Sequence, residues 1–385
     1  MSPRRVFFIT AARSEYDILL PVIEAAGKDV RLAPEVVVAG AQLSPFHGMG
    51  IDRIRADGVR IAGTVESLLS SESPQGRALS FAQLTEGLSR LLETNRPDLL
   101  VVAGDREEPL AAALVGNFLG IAVAHLHGGD RCIASDIDEV LRPAISKLAH
   151  LHCTATEGHR ERLIRMGEDP ARVWATGAPG LDSLRAVADV PAEILNREYG
   201  IDVTKPFFML IHHPSPLLGT ANSGAEMAEV LRGLLSAGHP VFCSYPNFDP
   251  GNIAMRQAID AARCERLLVS HNLPRDRFVS LYRRCAAIVG NSSSILIEAG
   301  FLKKPGILVG DRQNLREAGA NVLRVPALAN AVKQAALRAI DDKPLLATVS
   351  KAPSIYGDGH AAPKIVKVLA EAQLTPALLQ KTITY

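Results

Sequence analysis

The run Ala103-Gly104-Asp105-Arg106-Glu107-Glu108 follows the apolar stretch Asp98–Ala103, so a carboxylate and a guanidinium stand where a buried strand would end. There Asp105 can exchange a proton with a substrate and Arg106 can orient it. Asp105 suits equally the cap of a helix beginning near Glu107. A second cluster, His125-Leu126-His127-Gly128-Gly129-Asp130, is followed by Asp136, Asp138, Glu139 and Arg142. Its paired glycines admit a ligand close to the backbone, and crowded carboxylates push one another's pKa values apart, which supplies both an acid and a base. Strand alternation places His125 and His127 on one face, as a metal site would need. No H-E-x-x-H or second cluster completes a ligand set, however, and no metal is expected. His150 and His152 repeat the spacing and read as packed histidines.

The run Ile288-Val289-Gly290-Asn291-Ser292-Ser293-Ser294 reads as a strand ending in a hydroxyl cluster, with a helix predicted over Ile295–Leu302. Free backbone N–H groups and the positive end of the helix dipole favour a phosphate there, and the serines add neutral donors. One Ser or Asn would suffice as a helix cap; three consecutive serines exceed that need. Glu298, one turn further on, either accepts hydrogen bonds from ribose hydroxyls or is an exposed helix carboxylate. His212-His213-Pro214 ends another strand, where a neutral His213 can donate to a sugar, take its proton, or sit inert in the loop. Gly48-Met49-Gly50 lacks the third glycine of a dinucleotide fingerprint, and no G-x-x-x-x-G-K-[ST] run is present. Neither an NAD enzyme nor a P-loop ATPase fits, and no cofactor is expected.

These residues need strands to carry them to loop positions. Short apolar runs alternate with longer amphipathic stretches, the pattern of parallel sheets with crossover helices. Strands are predicted at Arg5–Thr10, Glu35–Ala39, Asp98–Ala103, Ile121–His125, Leu151–Thr154 and Val173–Ala175. A second set follows at Phe207–His212, Pro240–Ser244, Leu267–Val269, Ala286–Val289, Gly306–Val309 and Leu323–Val325. With 385 residues and roughly 100–200 residues per domain, two α/β domains are expected. The Pro- and Gly-rich stretch from Pro179 to Pro206 separates them: residues 1–185 form the first, 190–360 the second, and 361–385 a terminal segment. Open parallel sheets bind ligands beyond the carboxyl ends of their strands, so two facing domains would make a cleft.

Composition narrows the partners. Lys plus Arg total 42 against 41 for Asp plus Glu, which removes the electrostatic basis for holding nucleic acid and favours a small ligand. The five cysteines are scattered without a C-x-x-C pair and read as reduced core residues. The nearly uncharged stretch Leu110–Leu126 reads as a buried helix then a strand, not a membrane span. Arg13, Glu15 and Asp17 interrupt the first apolar run too early for a secretory leader, so a cytoplasmic location is expected.

Taken in order, Arg13-Ser14-Glu15-Tyr16, Gly104-Asp105-Arg106, His127-Gly128-Gly129-Asp130, Ile137-Asp138-Glu139, Ser146-Lys147-Leu148, Asn291-Ser292-Ser293-Ser294 and Gly310-Asp311-Arg312-Gln313 resemble the hydrolysing UDP-N-acetylglucosamine 2-epimerase family. The resemblance implies two Rossmann-like domains of the GT-B type, with a last helix near Ala361–Ala372 packing back on the first. It also implies a reaction: the nucleoside diphosphate leaves C1 as a proton leaves C2, and water adds to the resulting glycal to release the 2-epimeric sugar. By position it makes Asp105, Asp138 and Glu139 the catalytic candidates, with His127, Asp130 and His213 beside them. Arg13, Ser292, Ser293 and Glu298 would hold the diphosphate and ribose, and Arg106, His271 and Arg312 complete the substrate-binding candidates. A nucleotide-sugar partner and a homo-oligomer, dimer or tetramer, are expected.

The chain departs from the family's T-G-T-R at Thr10-Ala11-Ala12-Arg13, from a Glu at Asp130, from H-P-E-T at His213-Pro214-Ser215-Pro216 and from R-H-A at Arg142-Pro143-Ala144. These changes border the expected sugar site, and the loop Arg131–Asp136 is about two residues longer. UDP-N-acetylglucosamine is the first expected substrate, for sialic-type acid synthesis. A diacetamido or GDP-linked sugar, as in routes to legionaminic acid, is the alternative. A GT-B glycosyltransferase or a non-hydrolysing epimerase would use the same two-domain plan.

Overall fold

The computed structural model describes residues 2–69, 71, 73–132, 137–215, 220–246, 250–270 and 273–384. His271, Pro216 and most of the loop 131–136 lie outside the described residues. The chain divides into two compact units. Unit 1 holds the described residues up to Asp130, Ile137–Ser183 and Gly359 onward; unit 2 holds Arg131, Cys132 and the described part of Leu184–Asp358.

Unit 1 is built on β1 (Arg4–Thr10), β2 (Leu32–Ala39), β3 (Ile61–Val65), β4 (Leu99–Ala103), β5 (Ala122–Leu126), β6 (Leu151–Thr154) and β7 (Val173–Ala175). All pair in parallel, in the order β3-β2-β1-β4-β5-β6-β7. The central strands are continuous apolar runs because both faces are covered. Side chains alternate between two layers: Val6, Phe8, Val36, Val38, Leu99 and Val101 pack on one face, and Phe7, Ile9, Val37, Leu100 and Val102 on the other. The helices between these strands are α1 (Arg13–Ala26), α2 (Gly50–Ala56), α3 (Pro74–Thr94), α4 (Glu107–Phe118), α5 (Asp138–Leu148) and α6 (Glu157–Arg165). Strand β3 was not predicted. It is an edge strand, interrupted by Gly63, half exposed and paired to β2 with a register shift, so its apolar pattern is weak.

Unit 2 contains β8 (Phe208–Ile211), β9 (Val241–Ser244), β10 (Leu267–Ser270), β11 (Ala287–Gly290), β12 (Gly306–Val309) and β13 (Val322–Val325). They too are parallel, ordered β10-β9-β8-β11-β12-β13. Helix α7 (Gly180–Ala186) leads from unit 1 into α8 (Ala192–Tyr199), α9 (Thr220–Ser236), α10 (Asn252–Ala261), α11 (Arg275–Arg284), α12 (Ser294–Ile297), α13 (Ala329–Asp341) and α14 (Lys343–Lys351). The chain then returns to unit 1 as α15 (Ala361–Glu371) and α16 (Pro376–Leu379). Ile365, Val366 and Leu369 of α15 share a core with Tyr16, Leu19 and Val22 of α1. The first turn of α15 is capped by Asp182, whose two oxygens accept from Ala361 N at 2.9 Å and Ala362 N at 2.8 Å.

In both sheets the strand order reverses beside the first strand, between β1 and β4 and between β8 and β11. Open α/β sheets bind ligands at the carboxyl ends of strands at such switch points. Two expectations need correction here. The helix predicted over Ile295–Leu302 is only the four-residue α12, because the chain turns at Glu298–Lys303 before entering β12. Cys264 is exposed, unlike the other four cysteines, which are buried. Among the described residues no helix is long and apolar enough to cross a membrane.

Candidate active site

The β1 and β4 loops lie at the unit 1 switch point. Arg13 opens α1 and is exposed. Behind it Glu15 is buried, and its Oε2 accepts from Ala11 N at 2.8 Å and Ala12 N at 3.0 Å, satisfying N–H groups that open the helix. Burial first, then the neighbouring Glu108 carboxylate, push the Glu15 carboxyl up to about 8. Arg106, after β4, is exposed and its Nε lies 3.3 Å from Glu108 Oε2.

Asp105 is partly exposed and forms an ion pair with Arg142, which is 3% exposed on α5. Arg142 follows Asp138 by four residues and Glu139 by three, spacings at which side chains on a helix are neighbours. Both acids occupy the first turn of α5, where the helix dipole favours negative charge. The structure thus pairs Asp105 with the buried Arg142 guanidinium of α5, the helix whose first turn carries Asp138 and Glu139, a pairing that sequence reading did not assign.

The histidine pair resolves differently from the expectation. Strand β5 ends at Leu126, and His127 has φ +64, so His127 leaves the strand and does not share a face with His125. His125 is buried, with Nε2 2.8 Å from Gly104 O and Nδ1 3.0 Å from Ser146 Oγ. Asp130 is 7% exposed, with Oδ1 3.3 Å from His159 Nε2. Gly129 must be glycine: its φ is +79, and a Cβ there would stand 2.3 Å from His159 O. His150 accepts from Val123 N at 3.1 Å and His152 pairs with Glu168 at 3.1 Å, both as packed histidines.

In unit 2 the β8 and β11 loops are tied by Asn291, which is fully buried. Its Oδ1 accepts from His213 N at 2.7 Å and its Nδ2 donates to His213 O at 2.8 Å, continuing the β8–β11 pairing with a side chain. Gln313 Nε2 and Arg312 donate to Asn291 O at 3.1 Å and 3.3 Å. Gly290 has φ +130, and a Cβ there would meet Ile211 O at 2.0 Å, so the two strands approach only because the residue is glycine. Ser292 and Ser293 follow on this fixed frame, with Ser292 Oγ 3.0 Å from Ser294 Oγ. Glu298 caps the end of α12. With only one helical turn behind Ser293, the helix dipole there is small. Burial, then Arg312, lower the His213 pKa to about 3. His213 is therefore neutral at pH 7 and suited to donating a hydrogen bond more than to holding a proton.

A family model described as UDP-N-acetylglucosamine 2-epimerase matches residues 24–370. The chain is 31% identical over 384 residues, covering 99% of it and 100% of the relative, to the UDP-N,N'-diacetylbacillosamine 2-epimerase (hydrolyzing) of Legionella pneumophila. It is 25% identical to the polysialic acid biosynthesis protein P7 of Escherichia coli, covering 96% and 94% of the two chains. Among solved structures, the UDP-GlcNAc 2-epimerase of Neisseria meningitidis bound to UDP-GlcNAc superposes with TM-score 0.83 at 18% identity, over 96% of this chain and 100% of that one. These neighbours share the two Rossmann-like domains expected of the GT-B type. The chain belongs to the UDP-N-acetylglucosamine 2-epimerase family.

Proposed function

We propose that the protein is a hydrolysing 2-epimerase of nucleotide-linked N-acetylhexosamines that converts UDP-N-acetylglucosamine and water to N-acetylmannosamine and UDP. The carrying observation is the ion pair that ties Asp105, at the carboxyl end of a parallel sheet, to the buried Arg142 of α5, whose first turn bears Asp138 and Glu139. Elimination breaks the C1–O bond, the electron pair leaving with UDP, while a carboxylate takes the C2 proton. Rehydration returns a proton to the opposite face of C2 and a hydroxyl to C1. A C2 proton with no adjacent carbonyl is weakly acidic, so positive charge developing at C1 must assist, and nearby carboxylates stabilise it. In this reading Arg13, Ser292, Ser293, Glu298 and Arg312 hold the nucleoside diphosphate, and Arg106, His127, Asp130 and His213 complete the polar surroundings. The free sugar would feed synthesis of a sialic-type acid, in keeping with the polysialic acid relative.

A second sugar has specific support. The relative matched from end to end at 31% identity is named for UDP-N,N'-diacetylbacillosamine, which favours a diacetamido substrate on the same chemistry. Incubation with UDP-N-acetylglucosamine, its diacetamido counterpart and the GDP-linked forms in deuterated water tests both readings. The expected result is nucleoside diphosphate plus free sugar, inverted at C2 and deuterated there. An epimerised but intact nucleotide-sugar, or turnover only with a sugar acceptor, would sink the proposal, and relative kcat/KM decides between the sugars.

A further inference from the structure

Both ring nitrogens of the buried His125 are engaged, at 2.8 Å from Gly104 O and 3.0 Å from Ser146 Oγ. A carbonyl oxygen only accepts, so Nε2 carries the hydrogen. Burial lowers the pKa to about 3, the ring is neutral, and Nδ1 accepts from the Ser146 hydroxyl. One tautomer therefore joins two segments that matter. Gly104 precedes Asp105, adopts φ +87, and donates its own N–H to Leu126 O at 3.1 Å. Ser146 stands one turn beyond Arg142 on the same side of α5. The end of that helix is fixed in turn by Lys381, whose Nζ donates to the carbonyls of Ser146, Lys147 and Ala149 at 2.8, 2.9 and 2.6 Å. The loop bearing His127 closes over the pair: a Cβ on Gly128 would stand 3.0 Å from both His125 Nδ1 and Ser146 Oγ.

We propose that His125 is a positioning residue for the reaction: its Nε2–H holds the Gly104 carbonyl and its Nδ1 the Ser146 hydroxyl, fixing Asp105 against the carboxylates of α5. The proposal rests on the reading of Asp105, Asp138 and Glu139 given above. The imidazole acts through Asp105 and exchanges no proton with the sugar. Asp105 is tied to α5 through Arg142, and Gly104 N–H to Leu126 O, but neither contact holds the Gly104 carbonyl that leads into Asp105. The imidazole fixes that carbonyl, at the peptide that joins Gly104 to Asp105.

The test uses the full chain. His125→Phe keeps a ring and loses both bonds, whereas His125→Gln keeps a donor for Gly104 O. A displacement of about 1 Å at reacting groups lowers rates by about a hundredfold, so His125→Phe should lose roughly that in kcat with KM held within about threefold. His125→Gln should recover at least about tenfold of the loss, and Ser146→Ala should cost about threefold to tenfold, the worth of one neutral hydrogen bond. Wild-type kcat in His125→Phe, or His125→Gln as slow as His125→Phe, overturns the proposal. A crystal structure of His125→Phe, or of Ser146→Ala if that variant does not fold, reads the geometry without turnover. Residues 104–105 should shift against Arg142 by more than about 0.5 Å, and an unmoved loop also overturns it. If the wild-type protein releases sugar from no nucleotide-sugar, the proposed function fails and the crystallographic comparison still decides this one.

Discussion

Replacing Glu15 by Gln should change how stability depends on pH more than it changes stability at any one pH. The side chain is 6% exposed, and one oxygen accepts two backbone N–H groups that Gln can still satisfy. Burial and, after it, Glu108 raise the carboxyl from 4.5 to about 8, so the folded protein favours the protonated form. Its contribution is fully present below about 4.5, where the unfolded group is also protonated, and is lost as pH rises through about 8. Between pH ~5.5 and ~8 the loss is about 3 kcal/mol, at ~1.4 kcal/mol per pH unit. Gln cannot ionise, so the variant should gain about 3 kcal/mol over wild type across that window. Urea unfolding at several pH values measures this directly. Trp174, the single tryptophan, lies on β7 of the same unit and reports the transition by fluorescence. Titrating groups that do not interact with Glu15 are common to both proteins and cancel in the difference, and Glu108→Gln in both backgrounds removes the neighbour that does interact. Curves that run parallel within about 0.5 kcal/mol from pH ~5.5 to ~8.5 would refute the buried, protonated carboxyl.

Three further outcomes follow from the two switch points. Asp105→Asn should lower kcat about 10²- to 10⁴-fold, the usual reach of a positioned acid or base, while UDP affinity measured by calorimetry stays within about threefold. Ser292→Ala combined with Ser293→Ala should do the reverse. Each lost hydrogen bond to a charged phosphate is worth about 1.5–3 kcal/mol, so Kd for UDP should rise at least about a hundredfold with kcat little changed. Gly290→Ala should destabilise the protein by about 2–5 kcal/mol, combining positive-φ strain with a Cβ forced against Ile211 O, as read by circular dichroism in urea. A loss under about 1 kcal/mol would mean that β8 and β11 can part without cost.

The sheets were legible because their strands are buried on both faces. Val6-Phe7-Phe8-Ile9 supplies two cores at once, and such a run has few other places to go. Strand β3 escaped notice because an edge strand needs apolar residues on less of its surface. The false helix over Ile295–Leu302 has a different cause. Its apolar spacing suits a helix, but the chain must turn back sharply to enter β12 at Gly306, and Lys303 takes φ +56 to do so. Local propensity lost to a tertiary demand. The candidate carboxylates and the serine cluster could be nominated because residue type at a strand's carboxyl end is itself a signal. Arg142, His125 and Asn291 were named in those clusters, but their pairings were not readable, since the partners lie 37, 21 and 78 residues away.

Asn291, His125 and Glu15 answer one physical problem. At the carboxyl end of a parallel sheet the ladder stops, yet the loops that follow must hold chemical groups still, and their backbone N–H and C=O groups have lost their strand partners. Here buried side chains stand in for the missing strand: the Asn291 amide pairs both backbone groups of His213, the His125 ring takes the Gly104 carbonyl, and the Glu15 carboxyl takes two N–H groups before α1. Each is polar, buried and adjacent to a candidate functional residue without being one. A substitution there removes a backbone partner, so the damage falls first on the loop's geometry and only secondarily on the core. The core beneath is apolar and packed independently by the strands, which is why loop order and global stability should respond separately to such changes.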